Sequence, residues 1–233
     1  MSKNNCLLTA LFVLSFLSVK AQEPDPVRQW FMYRGNYASG VMDDANLPLN
    51  WNAETGENIS WKTNIPGLGH SCPVVWGDKI FTTTAVSSED KGDIQTGIYG
   101  SIDPVQDSSV HEWNLYCIDK KTGKINWEKT AYKGVPKQKR HPMSSHANCT
   151  PTTNGEFVVA FFGSEGLYCY NMNGELQWQK DFGVLKSVFF MVETAEWEFA
   201  SSPLIHDNVV IIQCDVLENS FLAAYDLATG KEL

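Results

Sequence analysis

Three times along the chain a short apolar run follows a Pro and a tight turn. His70–Thr84 reads HSCPVVWGDKIFTTT, Cys149–Phe162 reads CTPTTNGEFVVAFF, and Ser201–Gln213 reads SSPLIHDNVVIIQ. In each, a turn pair (Gly77-Asp78, Asn154-Gly155, Asp207-Asn208) precedes a β-branched or aromatic run. Short runs bounded by turn residues predict strands. A second stretch then repeats: Leu115–Lys129 is LYCIDKKTGKINWEK, Leu167–Lys180 is LYCYNMNGELQWQK, and Phe221–Leu233 is FLAAYDLATGKEL. Asp119, Asn171 and Asp226 align, and so do Gly123, Gly174 and Gly230. Trp127 and Trp178 align as well, and the third copy stops one residue before that place.

The spacing has a physical reading. An Asx side chain accepts bonds from the turn backbone, and Gly supplies the positive φ that closes the hairpin. Four short strands repeated about every 50 residues predict a propeller blade. No segment after the first residues shows a long apolar face at helical period. The expected fold is all-β, a β-propeller of four-stranded antiparallel blades over 59–233, with blades at about 70–129, 146–180 and 199–233. A blade buries its faces only against neighbours, so Trp127 and Trp178 are expected to fill the gap between adjacent sheets. Trp61, in Ile59–Ile65 (ISWKTNI), is expected on an orphan N-terminal strand. Propellers use about 4–8 blades. Three units and an orphan strand therefore predict an incomplete arc and a truncated chain.

The N-terminus has a different character. Lys3, the uncharged run Leu7–Val19 and the small-residue site ending at Ala21 predict a signal peptide over 1–21, followed by an N-terminal extension over 22–58. The run is short for a membrane span, and no later stretch is long and apolar enough, so an exported chain (periplasmic or extracellular) without a transmembrane segment is expected. The sequence has 27 acids against 18 bases, a net charge of −9. That balance excludes general nucleic-acid binding, which needs a basic footprint. The one basic cluster, Lys133–His141 (KGVPKQKRH), is expected to be a solvated connector. Beyond the signal peptide lie Cys72, Cys117, Cys149, Cys169 and Cys214, an odd number with no zinc spacing. The pairs Cys72/Cys149 and Cys117/Cys169, taken as repeat-equivalent, are expected to be too far apart for disulfides and to remain thiols.

The run Asp119-Lys120-Lys121-Thr122-Gly123-Lys124-Ile125-Asn126-Trp127 resembles the repeat of the pyrroloquinoline-quinone-like β-propeller family. That family includes quinoprotein dehydrogenases, the propeller subunit of the outer-membrane protein assembly machinery and many secreted bacterial propellers. Trp30–Gly35, Leu47–Trp51, Trp61–Ser71 and Ala160–Ser164 are similar to segments of the secreted group. The resemblance implies fold before chemistry. It implies a non-enzymatic binding or scaffold module of the envelope, with a protein or a saccharide as partner. The alternative is an oxidoreductase of alcohols or sugars using pyrroloquinoline quinone and calcium. No cofactor is expected outside that alternative.

Familiar catalytic signatures are missing: there is no GxSxG, HExxH, GxGxxG or P-loop. His70, His146 and Glu198 precede the lead-in strands of consecutive blades, which should bring them towards one axis. Such groups suit a metal such as zinc or a polar ligand, or they are polar residues of a solvated rim, and no metal is assigned. His70 is three residues before its Pro; His146 and Glu198 are five before theirs. Ser87–Glu112 has no counterpart in the other units and is expected as a loop insertion carrying either specificity or nothing.

Overall fold

The computed structural model describes residues 29–43, 45–89, 94, 103–189 and 191–233. The expected signal peptide lies outside them, as does most of the insertion between 90 and 102.

The first sheet is antiparallel, β1 (Val74–Trp76), β2 (Lys79–Ser87), β3 (His111–Asp119) and β4 (Ile125–Gly134), in that spatial order. The second repeats it with β5 (Thr152–Thr153), β6 (Phe157–Phe161), β7 (Leu167–Asn171) and β8 (Leu176–Lys180). A small hairpin follows, β9 (Val188–Phe189) with β10 (Val192–Glu196), and then a three-stranded sheet of β11 (Leu204–His206), β12 (Val209–Cys214) and β13 (Phe221–Asp226). The first strands converge, β5 packing against both β1 and β11. This is a propeller arc with its inner strands towards one axis.

Burial explains why the middle blade is the most apolar. Val158, Ala160 and Phe162 face the first sheet, in a cluster with Phe81, Trp113, Leu115 and Cys117. Val159, Phe161, Leu167 and Cys169 face the third, with Val210, Ile212 and Cys214. Successive strand residues point to opposite faces, so a strand covered on both sides reads as an unbroken run. FVVAFF is such a run.

The repeated turn is built the same way each time. Asp119 Oδ1 accepts from Thr122 N–H at 2.7 Å and Thr122 Oγ1 at 2.6 Å. Asp226 does so with Thr229 at 2.8 and 2.6 Å. These bonds, led by the Thr hydroxyl, hold both carboxyls below the usual carboxylate range. In the shorter second copy, Asn171 Oδ1 accepts from Asn173 and Glu175 N–H. The glycines close the turns at φ 73, 78 and 69.

Each glycine also seats the Trp of the preceding unit. A Cβ on Gly123 would lie 2.5 Å from the Trp61 ring, one on Gly174 2.9 Å from Trp127, and one on Gly230 2.7 Å from Trp178. Each indole N–H donates to the carbonyl one residue after the turn's Asx: Trp61 to Lys120 at 2.9 Å, Trp127 to Met172 at 3.1 Å, Trp178 to Leu227 at 2.7 Å. Residues 59–65 run extended without a ladder, and Trp61 stands where an outer strand of a preceding blade would put it.

A second latch ties the blades near the axis. Cys72 N–H donates to Thr150 Oγ1 at 3.0 Å, and Thr150 N–H donates to Ser202 Oγ at 2.9 Å. Each of these residues directly precedes a Pro (Pro73, Pro151, Pro203), so the same position is joined twice across neighbouring blades. The N-terminal segment adds to it: Trp30 pairs with Val75 of β1, and the Phe31 carbonyl accepts from Thr153 N–H of β5.

The five described cysteines are free. Cys72 and Cys149 are not equivalent positions as the residue match suggested. Counted from the Pro, Cys72 matches Thr150, and Cys149 matches Ser71 and Ser201.

Trp178, 9 % exposed, should lower stability by about 3–5 kcal/mol when changed to Ala, through lost burial and a cavity at Gly230. Trp51, 66 % exposed, should cost less than about 0.5 kcal/mol. Urea unfolding followed by circular dichroism measures both.

Candidate functional site

The connectors before each inner strand meet near the axis, and there His146 and Glu198 come together. Both lie five residues before their Pro, on consecutive blades. His146 Nδ1 and Glu198 Oε2 are 2.5 Å apart. His70 does not join them: it is exposed, and its backbone N–H donates to the Ala147 carbonyl and Ser145 Oγ. The residue of the first blade in the matching place is Leu68.

His146 and Glu198 are each 4 % exposed, not on a solvated rim. Burial pushes the Glu198 carboxyl well above its ordinary value and the His146 imidazole down to about 4. The distance suits an ion pair, but both shifts favour the uncharged partners, because a buried charge pair must recover a large desolvation cost. In the neutral pair Glu198 donates its proton to Nδ1. Glu198 also holds a left-handed backbone at φ 67, a costly conformation for a residue with a side chain.

Four more polar groups surround the pair. His111 lies edge-on to His146 at 5.1 Å between ring centres, and Trp113 Nε1 donates to the His146 carbonyl at 2.8 Å. His111 Nε2 lies 3.7 Å from Asp107 Oδ2. Burial lowers the His111 pKa. Burial raises that of Asp107, but bonds from Ser109 and the neighbouring imidazoles outweigh it and leave the carboxyl low. Asp107 and His111 come from the end of the insertion, which thus supplies buried groups to the site. Arg140, 3 % exposed, donates to the Ser144 carbonyl at 2.9 Å.

Sequence reasoning missed Glu165. It is 2 % exposed; Oε1 accepts from Lys137 N–H at 2.9 Å, while Oε2 has no hydrogen-bond partner. Burial first, and Glu198 second, push its pKa up to about 7. The sign that could have found it is a lone acid inside the apolar stretch FVVAFFGSEGLYCY.

The basic connector is a strap. Lys137 Nζ reaches the Ser164 carbonyl and Asp181, Gln138 exchanges two bonds with the Ser187 backbone, and Lys139 N–H donates to Glu196. Gln138 and Arg140 are each 3 % exposed, so the expectation of a solvated connector fails. Polar residues are buried here because each has a partner: the Ser187 backbone for Gln138, and the Ser144 carbonyl for Arg140.

Above the pair opens a cavity of about 1130 Å³. Its wall includes Tyr33, His70, His141, Trp197, Glu198 and Asp215. Trp197 stacks on Phe189 at 5.1 Å and meets His141 edge-on at 5.7 Å. Among the described residues no group of three or more His, Cys, Asp or Glu side chains is placed to hold a metal.

A family model described as outer membrane protein assembly factor BamB matches residues 108–233. The chain belongs to this family. No curated protein matches it in sequence. Among solved structures, a europium-containing methanol dehydrogenase matches with TM-score 0.50 and 14 % identity, over 88 % of this chain and 31 % of that one. A quinohemoprotein alcohol dehydrogenase from Comamonas testosteroni matches with TM-score 0.48 and 16 % identity, over 90 % and 27 %. BamB from Moraxella catarrhalis matches with TM-score 0.36 and 17 % identity, over 73 % and 47 %. The chain spans about a third of the methanol dehydrogenase and under half of the other two, and at 14 % identity the likeness to the methanol dehydrogenase speaks to fold alone. The family member's PQQ-like propeller fold agrees with the sheets described above.

The buried acid Glu165 and the buried base His146 tilt stability in opposite directions. Glu165, raised from 4.5 to about 7, binds its proton more tightly when folded, so its contribution is complete below about pH 4.5 and falls as pH rises to 7. His146, lowered from 6.5 to about 4, loses stability as pH falls through that range. Glu165→Gln should therefore lessen the decline in thermal midpoint as pH rises to about 7, leaving the part due to Glu198 and keeping the acid-side loss. An unchanged profile would contradict the buried, proton-holding Glu165.

Proposed function

We propose that this propeller arc is an exported binding or scaffold module of the cell envelope, without catalytic chemistry of its own, and that the cavity above His146 and Glu198 is where a partner is held. The observation that carries the reading is the donor set. His146 and Glu198 are buried and spend their facing atoms on each other, so neither presents a free base or nucleophile to the cavity. What the wall offers is an aromatic surface with hydroxyls, amides and carboxylates, the mixture that fixes a ligand's orientation. The assembly-factor description of the family supports a protein partner in preference to a saccharide. Among the described residues no helix is long and apolar enough to cross a membrane.

The quinone alternative can be weighed on the same wall. Pyrroloquinoline quinone is a tricarboxylate, and among the described residues the lining contains no Lys or Arg but two carboxylates, Glu198 and Asp215. Calcium takes about 6–8 oxygen ligands, and the described residues bring no cluster of acids together for it. These residues do not fit the quinone with its calcium.

Quinone and calcium added to the full-length protein should leave the quinone's visible spectrum unchanged and give no dye-linked oxidation of methanol or glucose. A saturable spectral change with turnover would overturn the proposal. A photo-crosslinking residue at Tyr33 should give one discrete envelope-protein adduct, and the same residue at Trp51 should not; equal labelling from both would also count against it.

A further inference from the structure

The charge of the cavity wall narrows the partner's chemistry, on the reading that the cavity is a binding site. Among the described residues no Lys or Arg lines it, and the buried Arg140 is turned onto the Ser144 carbonyl. Glu198 closes the floor, its Oε2 committed to His146 and its Oε1 to the Phe199 N–H. Asp215 is different: it stands exposed on the wall, with Ser220 Oγ donating to it over a long 3.4 Å. Trp197 is 36 % exposed and held in place, stacked on Phe189 and abutted by His141. Trp197 and Asp215 line the same cavity, and an indole face and an accessible carboxylate both attract a cation, one through the ring quadrupole and the other through charge. The chain as a whole carries −9, which steers cations towards it and repels acidic partners.

We infer that the cavity receives a Lys- or Arg-bearing segment of a protein partner, with the cationic head against Trp197 and Asp215 as its counter-charge. The volume of about 1130 Å³ is ample for several residues of extended peptide, so the segment enters as a loop or terminus and its backbone meets the hydroxyls of the wall. Asp215 is a specificity-determining residue in this scheme: it selects positive over neutral or negative segments.

Three probes test it on the full-length protein by nuclear magnetic resonance: tri-lysine, tri-glutamate and maltotriose. The Trp197 indole N–H signal is assigned with Trp197→Phe. Tri-lysine should shift that signal saturably, more weakly as salt rises, and tri-glutamate and maltotriose should not. Asp215→Asn, at an exposed position that leaves the fold intact, should weaken tri-lysine by up to about fivefold, the upper end for one surface charge pair. Tri-lysine binding unchanged by Asp215→Asn would overturn the inference. If only maltotriose or tri-glutamate moves the Trp197 signal, the cationic partner is wrong while the cavity remains a binding site. If none of the three moves it at millimolar concentration, the cavity reading falls as well.

Discussion

Everything in this arc depends on an indole pressed against a glycine of the next blade. The contact needs three things at once. The turn must leave an open face, which only Gly provides at φ near 70. The Asx residue must hold the turn rigid, and the carbonyl after it must be free to accept the indole N–H. The motif supplies all three within nine residues, Asp119 to Trp127. A Trp buries about 150–250 Å², so each docking contributes far more than the hairpin that presents it. The hairpins set the angle between sheets, and that angle brings the connectors towards the axis.

The site follows from the same geometry. Because consecutive blades are related by one repeated step, residues at the same count before the Pro come close together. His146 and Glu198 meet for that reason, and so do Cys72, Thr150 and Ser202 in the inner latch. What the repeat does not supply is burial. The strap from Lys137 to Arg140 and the end of the insertion at Asp107 and His111 cover the pair, and the covering makes it a closed, neutral unit.

This division marks how far the residues could be read alone. The period, the turn chemistry and the role of Trp127 and Trp178 were legible, because they depend on spacing within one unit. The meeting of His146 with Glu198 was legible from their common count to the Pro. His70 lines the cavity but stays out of the pair because it sits two residues off their count, and Cys72 and Cys149, matched as Cys to Cys, are offset by one. The strap was illegible for a different reason: Lys, Gln and Arg read as solvated, and only the folded chain shows Gln138 satisfied by the distant Ser187 backbone and Arg140 by the nearby Ser144 carbonyl. Glu165 escaped notice because its importance rests on its surroundings, with no pattern in its own neighbourhood beyond being a lone acid.

The central claim is that the blades are locked by indoles whose N–H groups are spent across the blade boundary. Hydrogen exchange of the indole N–H groups, read by nuclear magnetic resonance, tests it directly. The account predicts strong protection for Trp127 and Trp178, which hold the Met172 and Leu227 carbonyls, and fast exchange for Trp51, which is 66 % exposed. Exchange of Trp127 and Trp178 as fast as that of Trp51 would contradict it.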